Sequence, residues 1–416
     1  MLCPDTVKKI SEIKNEPSWM LDFRLQSLMV FEKNPLPAWC PDLTGLNLAE
    51  INFYQTPETK ISCVPEGLKK SLAGYELQHD SEAVYGSIIK KIADQGVLFT
   101  DTDNALKKYP EIFKKYFGKL IPAGDNRFAA LNSACWSGGS FVYVPSGIRV
   151  ALPLQAYFKI NSKKLGQFER TLIIADEGSN VTYLEGCSAE VSSQASLHAG
   201  VVEIYVAKNA KVKYVTTQNW SSDVYNLVTK RARVEENGTM QWLDINLGSR
   251  LTIKYPSCYL VGKGARGEMV SLAVANSGQT QDTGAKMFHL APETSSTIIS
   301  KSISLNGGKN IFRAMGVASA KSKSKTKCES LILDEKSSAQ SYPALKAENK
   351  DAQLSHEATI SRLEDDQLFY LQSRGLTRSE AENLIVGGFA EPIVKQLPME
   401  YAIELQQLLK LQLNAS

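Results

Sequence analysis

Residues 199–218, AGVVEIYVAKNAKVKYVTTQ, contain two β-rich runs on either side of a short turn. In the first run Val202, Ile204 and Val206 alternate with other residues, so their side chains point to one face of a strand. Lys208-Asn209-Ala210 separates the two runs and has the composition of a turn. The predicted building unit is therefore a strand, a tight turn and a second strand, with one apolar face.

The same unit recurs along most of the chain. Between residues 126 and 355, short β-rich runs are punctuated by turns such as 177–178, 236–238, 262–264 and 306–308. Many short strands with almost no helical period indicate a β-sandwich, a β-barrel or a β-solenoid. The even spacing and the apolar alternation favour a parallel β-helix, in which each coil buries its apolar positions against the next.

Helical patterns flank this β-rich core. On the N-terminal side they predict helices from Ser18 to before Pro35, over 81–94 and over 111–117, with poorly patterned loop over 32–75. We therefore expect a mainly β protein with helical flanks. Its parts are an N-terminal helical and loop region over 1–125, a parallel β-helix core over 126–355 and a C-terminal helical domain over 356–416.

The C-terminal region again has a helical pattern. A helix is predicted over 364–373, and Thr377 with Glu380 forms a capping box that opens a second helix over 379–386. After Pro398, apolar residues recur at helical spacing. A Leu-rich terminal helical domain of this kind either docks a partner or packs on its own β-core, and the pattern leaves both open.

Composition and charge exclude several classes of protein. Of 416 residues, 43% are hydrophobic and 22% are charged, as in an ordinary globular chain. A net charge of +3 is too small for a broad phosphate-binding surface, so we expect no nucleic-acid partner. The N-terminus lacks the apolar core of a signal peptide, and no run approaches a membrane span. We therefore expect a soluble, intracellular protein with no membrane partner.

The cysteines are dispersed along the chain. They stand at positions 3, 40, 63, 135, 187, 258 and 328, with no CxxC pair. This spacing argues against a disulfide framework, a zinc ribbon and a Cys-rich cluster motif. No P-loop occurs, so we expect no ATP hydrolysis by the chain itself. Any thiol chemistry must come from single cysteines that the fold brings together.

Long stretches of the chain resemble one known family. They include NRFAALNSACWSGGSFVYVPSGI (126–148), GQFERTLIIADEGSNVTYLEGC (166–187), VKYVTTQNW (212–220), DTGAKMFHLAPETSSTIISKSIS (282–304) and QLSHEATISRLEDDQLFYLQSRGL (353–376). These segments closely resemble the SufB family, the scaffold subunits of the SUF iron–sulfur cluster assembly system. The resemblance implies a right-handed parallel β-helix flanked by helical domains, which agrees with the independent prediction above.

Cys187 ends a predicted strand in Leu184-Glu185-Gly186-Cys187. A single cysteine of this kind is usually a buried and inert small hydrophobe. The resemblance implies instead that this position accepts sulfane sulfur from a sulfurtransferase. The reaction requires a thiolate that attacks a persulfide, and a neighbouring cation would favour that thiolate.

The resemblance implies a cluster-assembly end around Cys328 and Ser355-His356-Glu357. Lysines at 321, 323, 325 and 327 would help to hold a thiolate at Cys328, while a charged, solvated strand edge is the alternative. Consecutive strand residues face opposite sides, so His356 and Glu357 should not both bind one iron, and the resemblance favours Glu357. The family usually has a second acid where Ser355 stands. Few sulfur ligands should hold a transient 4Fe-4S cluster loosely.

Six further positions match polar residues that, in the family, line a passage between the two cysteines. They are Lys159, Asn161, Thr216, Gln218, Trp220 and Lys230. Alternate residues of a strand share a face, so Thr216, Gln218 and Trp220 can point inward together, as can Lys159 and Asn161. The family commonly has arginine where Lys159 stands, and lysine loses the bidentate hydrogen bonding of arginine.

The leading interpretation is a non-enzymatic scaffold that receives sulfur at Cys187 and builds a cluster near Cys328 and Glu357 at a subunit interface. The resemblance implies a cytoplasmic SUF complex, with the plastid stroma as an alternative location. Its expected partners are a SufC-type ATPase on the C-terminal helices, a sulfurtransferase, and a SufD-type paralogue or a second copy of this chain. Reduced FAD is implied by the resemblance alone.

Two other classes remain as alternatives. A SufD-like structural subunit would share the fold without assembling its own cluster, although the presence of both Cys187 and Cys328 favours the SufB type. A carbohydrate-active β-helix enzyme is disfavoured because the chain has neither a signal peptide nor a paired-acid motif.

Overall fold

The structure, a computed structural model, describes residues 2–56, 72–160, 162, 164–189 and 195–414. Helices α1–α9 cover Pro4–Lys14, Ser18–Lys33, Lys90–Ala93, Thr102–Lys108, Pro110–Tyr116, Arg127–Cys135, Asp365–Gln372, Arg378–Val394 and Met399–Asn414. Strands β1–β11 cover Gly74–His79, Glu82–Ile88, Leu98–Asp101, Ser140–Val144, Leu154–Ile160, Gly166–Gln167, Arg170–Ala175, Asn180–Ala189, Ser196–His198, Val201–Val206 and Lys211–Trp220. Strands β12–β22 cover Val224–Val234, Thr239–Gly248, Leu251–Lys254, Ser257–Leu260, Arg266–Ala275, Thr280–His289, Thr294–Ser304, Lys309–Ala318, Ser322–Ile332, Ser338–Ala347 and Gln353–Arg362.

The core is a parallel β-helix of about seven coils. One strand of each coil belongs to sheet A, a 10-stranded sheet in the order β2-β1-β5-β8-β11-β13-β16-β18-β20-β22. The other belongs to sheet B, a 12-stranded sheet whose main path is β21-β19-β17-β14-β12-β10-β7-β4-β3. Only the pairs β1–β2 and β3–β4 are antiparallel among the described strands. The predicted class, a parallel β-helix core with helical flanks, is confirmed.

The alternation of apolar residues determines which side chains fill the coil interior. Val202, Ile204 and Val206 point inward and are at most 1% exposed, as the pattern predicts. Because the parallel strands pair in register, inward side chains of successive coils stack in columns spaced by about 4.8 Å. A residue's position within its strand therefore fixes which residues of the neighbouring coils it lies between.

The corners of the coils are the turns that the sequence predicts. Asn209, Asn237 and Asn306 have φ angles of 58°, 53° and 54°. Asparagine tolerates this left-handed backbone better than most residues, which explains its recurrence at the corners.

The N-terminal predictions are confirmed in part. The predicted helices near 18–34 and 111–117 correspond to α2 and α5. The predicted helix over 81–94 is wrong, because most of it forms β2, which pairs with β1, and only Lys90–Ala93 are helical. The spacing of Val84 and Ile88 fits a helix, but pairing of β1 with β5 extends sheet A and favours the hairpin.

The first strand of sheet A begins at Gly74, so the β-structure starts before residue 126, where the β-helix core is predicted to begin. Part of the predicted loop, including Cys63, lies outside the described residues.

The C-terminal boundary also shifts. Strand β22 runs to Arg362, so the predicted start of the helical domain at residue 356 is too early. The capping box of Thr377 and Glu380 is confirmed at the start of α8. Helices α8 and α9 cover the outer face of sheet A, where Ile393 and Leu405 join the apolar cluster of Leu184, Val215 and Leu243. Within the described part of the chain, no helix is long and apolar enough to cross a bilayer.

Candidate functional site

Sheet A carries two neighbouring columns of inward-facing side chains. The register defines the Cys187 column as Cys187, Gln218, Asn246, Ala273, Ser302 and Ser330. It defines the Cys328 column as Glu185, Thr216, Asp244, Ser271, Ser300 and Cys328. The strands of the two cysteines are five steps apart, which corresponds to about 24 Å at the usual strand spacing. A mostly polar strip of the interior therefore connects one cysteine to the other.

Two buried lysines of sheet B face this strip. The Lys230 Nζ donates to Thr216 Oγ1 at 2.7 Å and lies 3.6 Å from Glu185 Oε1 and 3.7 Å from Asp244 Oδ1. The Lys254 Nζ lies 3.2 Å from Asp244 Oδ2 and donates to Gln218 Oε1 at 3.1 Å. All of these side chains are buried, so their charges must balance one another rather than be solvated.

The pKa values of the network reflect that balance. Burial alone would lower the pKa of Lys230, but Asp244 and Glu185 outweigh it and raise the pKa of this amine. Burial would raise the pKa of Asp244, but Lys254 and Lys230 lower it. Burial dominates at Lys254 and lowers its pKa to about 8. At neutral pH the interior therefore holds an ionised Lys230–Asp244 pair and a second amine that gives up its proton more readily than an ordinary lysine.

Cys187 is enclosed at one end of the strip and is 2% exposed. Its Sγ lies 3.9 Å from Glu185 Oε1, and the Tyr214 hydroxyl donates to the other oxygen of that carboxylate. Burial and then Glu185 raise the pKa of Cys187 well above its ordinary value, although Lys230 and Lys254 act in the opposite direction. The cations that would favour a thiolate are present, but the resting thiol is protonated.

Trp220 belongs to the same interior. Its ring lies 4.7 Å from the imidazole of His198, which contacts Glu169 at 2.8 Å through Nε2 and Asn226 at 2.7 Å through Nδ1. Burial would lower the pKa of His198, but Glu169 raises it overall. Both ring nitrogens of His198 therefore have a polar neighbour, and its ring lies against Trp220 beside the strip.

The predicted passage residues do not all share this interior. The side chains of Thr216, Gln218, Trp220 and Lys230 point inward and are nearly fully buried. Lys159 does not, because Phe158 is the inward residue that pairs with Cys187, and Lys159 pairs with Ser188 on the outer face. The prediction that Lys159 points inward is therefore wrong. Asn161 lies outside the described residues.

Cys328 lies near the open end of the β-helix, on the second-to-last strand of sheet A. Its Sγ is 3.3 Å from Ser341 Oγ, and burial raises the pKa of the thiol. Lys323, Lys325 and Lys327 occupy the outer face of the same strand, because inward and outward positions alternate. The expectation that these lysines hold a thiolate at Cys328 is therefore wrong.

His356 and Glu357 lie on opposite faces of β22, as predicted. His356 pairs with Thr326 and so faces the interior with Cys328, whereas Glu357 pairs with Lys327 and faces outward. Both imidazole nitrogens are buried and have no hydrogen-bond partner in the described part of the chain, and burial lowers the pKa of His356. The structure thus places His356, rather than Glu357, on the same face as Cys328, and the role of Glu357 as a cluster ligand stays a prediction. Among the described residues, no group of three His, Cys, Asp or Glu side chains is placed to hold a metal ion.

Three interior residues were not singled out from the sequence. Glu185, Asp244 and Lys254 are each charged and each at most 1% exposed. The sequence does contain a signal for them: each is a charged residue at a position of a predicted strand where the alternation predicts an inward-facing apolar residue. Without the register, it was not possible to tell that they face one another.

His289 provides a pH test of the interior. Burial lowers its pKa to about 4, and its two nitrogens contact Thr294 and Ser296. The unfolded chain binds the proton more tightly, so stability that is present above about pH 6.5 is lost as the pH falls towards 4. Between pH 7 and pH 4, we expect the wild type to lose about 3 kcal/mol more unfolding free energy than His289→Gln in urea titrations. Parallel pH curves of the two proteins would contradict this.

Comparisons with known proteins agree with this architecture. Residues 158–389 match the family model of the SufBD core domain of SUF-system FeS cluster assembly. Residues 34–156 match the model of the SufBD protein N-terminal region. Proteins of Staphylococcus aureus and Staphylococcus haemolyticus, each named an iron-sulfur cluster assembly SufBD family protein, are 51% identical over 435 aligned residues, covering 100% of this chain and 94% of theirs.

Together the two models cover residues 34–156 and 158–389, and the similarity to these relatives extends over the whole chain. The chain therefore belongs to the SufBD family of the SUF iron–sulfur cluster assembly system.

Proposed function

We propose that this chain is a non-enzymatic, SufB-type scaffold that accepts sulfur at Cys187 and builds a transferable iron–sulfur cluster near Cys328. One observation carries the proposal. The two columns of sheet A form a mostly polar strip from the Cys187 thiol to the Cys328 thiol inside the β-helix. Buried polar groups destabilise a fold unless they are paired, so such a strip favours a role in transfer over a role in stability.

Unpaired polar atoms along the strip support this role. Gln218 Nε2, both side-chain polar atoms of Asn246, and Trp220 Nε1 are buried without a hydrogen-bond partner among the described residues. Such atoms are rare in folded proteins and commonly mark a functional site or bound water. We infer that they contact the sulfur species, or the water that it displaces, during transfer.

The chemistry of the open end supports loose cluster binding. Cys328 offers a thiolate when deprotonated, and His356 offers an imidazole whose two nitrogens have no hydrogen-bond partner among the described residues. Both are accepted ligands of iron in clusters, but stable clusters use four protein ligands. A 4Fe-4S cluster that is bound by only two ligands from one chain would be held weakly, as a cluster that is built and then released requires. Glu357 would contribute only from outside this interior.

The open end also favours a second subunit. Strand β22 is the edge strand of sheet A at this end and has ten residues without proline or glycine, whereas β21, the edge strand of sheet B at the same end, carries Pro343. Proline blocks pairing at an edge, so β22 is the better edge for another chain. We propose that a SufD-type paralogue or a second copy docks here and supplies the remaining ligands.

The other partners follow from the family and the exposed surfaces. Phe369, Leu384 and Met399 on the C-terminal helices are 57–75% exposed, and such apolar side chains favour a docking surface for the SufC-type ATPase. A sulfurtransferase would supply the sulfur, and a cytoplasmic location fits such a complex. Reduced FAD remains an expectation from the resemblance alone.

A SufD-like structural role is the second candidate. The enclosure of Cys187, the raised pKa of its thiol and the lack of a three-residue metal site among the described residues favour this alternative. A SufD-like chain would need a separate paralogue to bind iron.

Anaerobic reconstitution of the isolated full-length chain tests the proposal. After incubation with ferrous iron and sulfide and removal of unbound ions, we expect bound iron and sulfide in near-equal amounts, with charge-transfer absorbance in the visible range. The same treatment of Cys187→Ala should leave this chemical reconstitution unchanged, because free sulfide bypasses the acceptor. Absence of bound iron, both alone and with the co-purified ATPase, would contradict the scaffold role and favour the SufD-like one.

A further inference from the structure

We propose that Glu185 takes the proton from the Cys187 thiol when this cysteine attacks an incoming persulfide, and so acts as the general base of sulfur acceptance. The inference rests on the proposed function of Cys187 as the sulfur acceptor and assigns it a catalytic partner.

The enclosure of Cys187 limits where its proton can go. The side chain is 2% exposed, so bulk water does not contact the sulfur in the resting structure. Among the described residues, the hydrogen-bond partner of the thiol is Glu185, whose Oε1 is 3.9 Å from Sγ. A general base must lie within reach of the proton that it accepts, and contacts of this kind tighten when the substrate binds.

The fold holds Glu185 in this position. Residues 185 and 187 are both inward positions of β8, so their side chains lie side by side on one face. Between them, Gly186 leaves room on the outer face for the ring of Tyr157, which a Cβ would meet at 2.5 Å. This packing fixes the strand at the point where both side chains enter the interior.

Two neighbours orient the carboxylate. The Tyr214 hydroxyl donates to Oε2, and the Lys230 Nζ lies 3.6 Å from Oε1. These two contacts hold the carboxylate in place with Oε1 on the side of the Cys187 sulfur. The oxygen nearest the sulfur is thus the one whose negative charge Lys230 balances.

The step balances in atoms and electrons. The Cys187 S–H bond breaks and its proton moves to Glu185 Oε1, while the sulfur lone pair attacks the terminal sulfur of a donor R–S–SH. A new S–S bond forms at Cys187, the S–S bond of the donor breaks, and its electron pair leaves on the donor sulfur. Glu185 then gives its proton to that thiolate. The products are a Cys187 persulfide and R–SH, with no net oxidation or reduction.

A purely electrostatic role of Glu185 predicts the opposite mutant effect. The negative charge of Glu185 raises the pKa of the Cys187 thiol. If the carboxylate were only a neighbouring charge, Glu185→Gln would increase the thiolate fraction and speed the reaction. If the carboxylate is the proton acceptor, the same substitution slows the reaction. The sign of the change therefore separates the two roles.

The experiment uses the full-length chain and inorganic polysulfide as the sulfur donor at pH 7.5. The rate of persulfide formation at Cys187 is measured by trapping and peptide mass spectrometry. We expect Glu185→Gln to slow it by at least about tenfold, since general bases typically contribute more than this. Glu185→Asp should retain an intermediate rate. The matched control is Glu76→Gln, a buried carboxyl of sheet A that contacts Ser140 rather than Cys187, and it should react like the wild type.

The outcomes separate this inference from the proposed function. If wild-type Cys187 forms no persulfide, the acceptor role itself fails. If the wild type reacts and Glu185→Gln is equal or faster, only the base role fails. If Glu76→Gln is slowed as much as Glu185→Gln, the loss reflects disturbed interior packing, and the assignment of Glu185 is overturned. Far-ultraviolet circular dichroism of each variant confirms that the compared chains are folded.

Discussion

Replacing Cys328 with alanine should lower the iron bound by the reconstituted chain by at least about tenfold. Cys328 is the thiol that shares the open end of the interior with His356, and thiolates are the principal protein ligands of iron–sulfur clusters. Removal of this ligand leaves a single imidazole, which cannot retain a cluster by itself. The measurement is iron and acid-labile sulfide per chain, together with visible absorbance, under anaerobic conditions.

Cys258→Ala is the matched control for this prediction. Cys258 is also a buried interior cysteine with a free thiol, but it lies on β15 of sheet B, away from the open end. We expect it to bind iron as the wild type does. Equal iron content in Cys328→Ala and Cys258→Ala would contradict the placement of the cluster.

The same assay compares His356 with Glu357. His356 faces the interior with Cys328, whereas Glu357 faces outward in register with Lys327. In the isolated chain, His356→Ala should therefore reduce cluster retention strongly, and Glu357→Ala should change it little. The reverse order would show that the outer face of β22, and thus a neighbouring subunit, provides the site.

Replacing Lys230 with methionine should lower the free energy of unfolding by about 3–5 kcal/mol. This amine is 1% exposed and lies within 3.7 Å of the carboxylates of Glu185 and Asp244. Methionine fills a similar volume but leaves the buried negative charges without that partner, and breaking a buried ion pair from one side costs about this much. Urea unfolding followed by circular dichroism measures the change.

Two further variants test the cause of that loss. Lys327→Met removes a partly exposed lysine that pairs with Glu329 on the outer face, and it should cost no more than about 1 kcal/mol. The double variant Lys230→Met/Asp244→Asn also removes the buried negative charge of Asp244. Relative to Lys230→Met alone, part of the lost unfolding free energy should therefore return. A loss as large in Lys327→Met as in Lys230→Met would contradict the role of interior charge.

The sequence was sufficient for the architecture because the relevant signals are local. The alternation of Val202, Ile204 and Val206, and asparagines at the corners, depend on a few neighbouring residues and predict coils correctly. The helix predicted over 81–94 failed because pairing of β1 with β5, a contact with distant residues, decided the local structure.

The site could be predicted only in part, for the same physical reason. Alternation separates His356 from Glu357, but it does not tell which of the two faces the interior. That choice follows from pairing with β20, which the sequence does not specify. The predicted inward position of Lys159 is wrong for the same reason, because the pairing with β8 puts Phe158 in the inward position next to Cys187. The ion pair between Lys254 and Asp244 likewise depends on a contact between the two sheets, which the sequence does not specify.

Because side chains of successive coils stack in columns, the number of coils between two residues of a column sets the distance between them. The positions in register with Cys187 fall at 218, 246, 273, 302 and 330, so successive members of the column are 27–31 residues apart. Gain or loss of one whole repeat during evolution would change the distance between thiol 187 and thiol 328 by about 4.8 Å and keep every side chain on its original face. An insertion of one residue within a strand would instead rotate all later residues of that strand to the wrong side. Relatives that differ in the distance between the two cysteines should therefore differ by complete coils of the β-helix. Single-residue insertions should be confined to the turns at its corners.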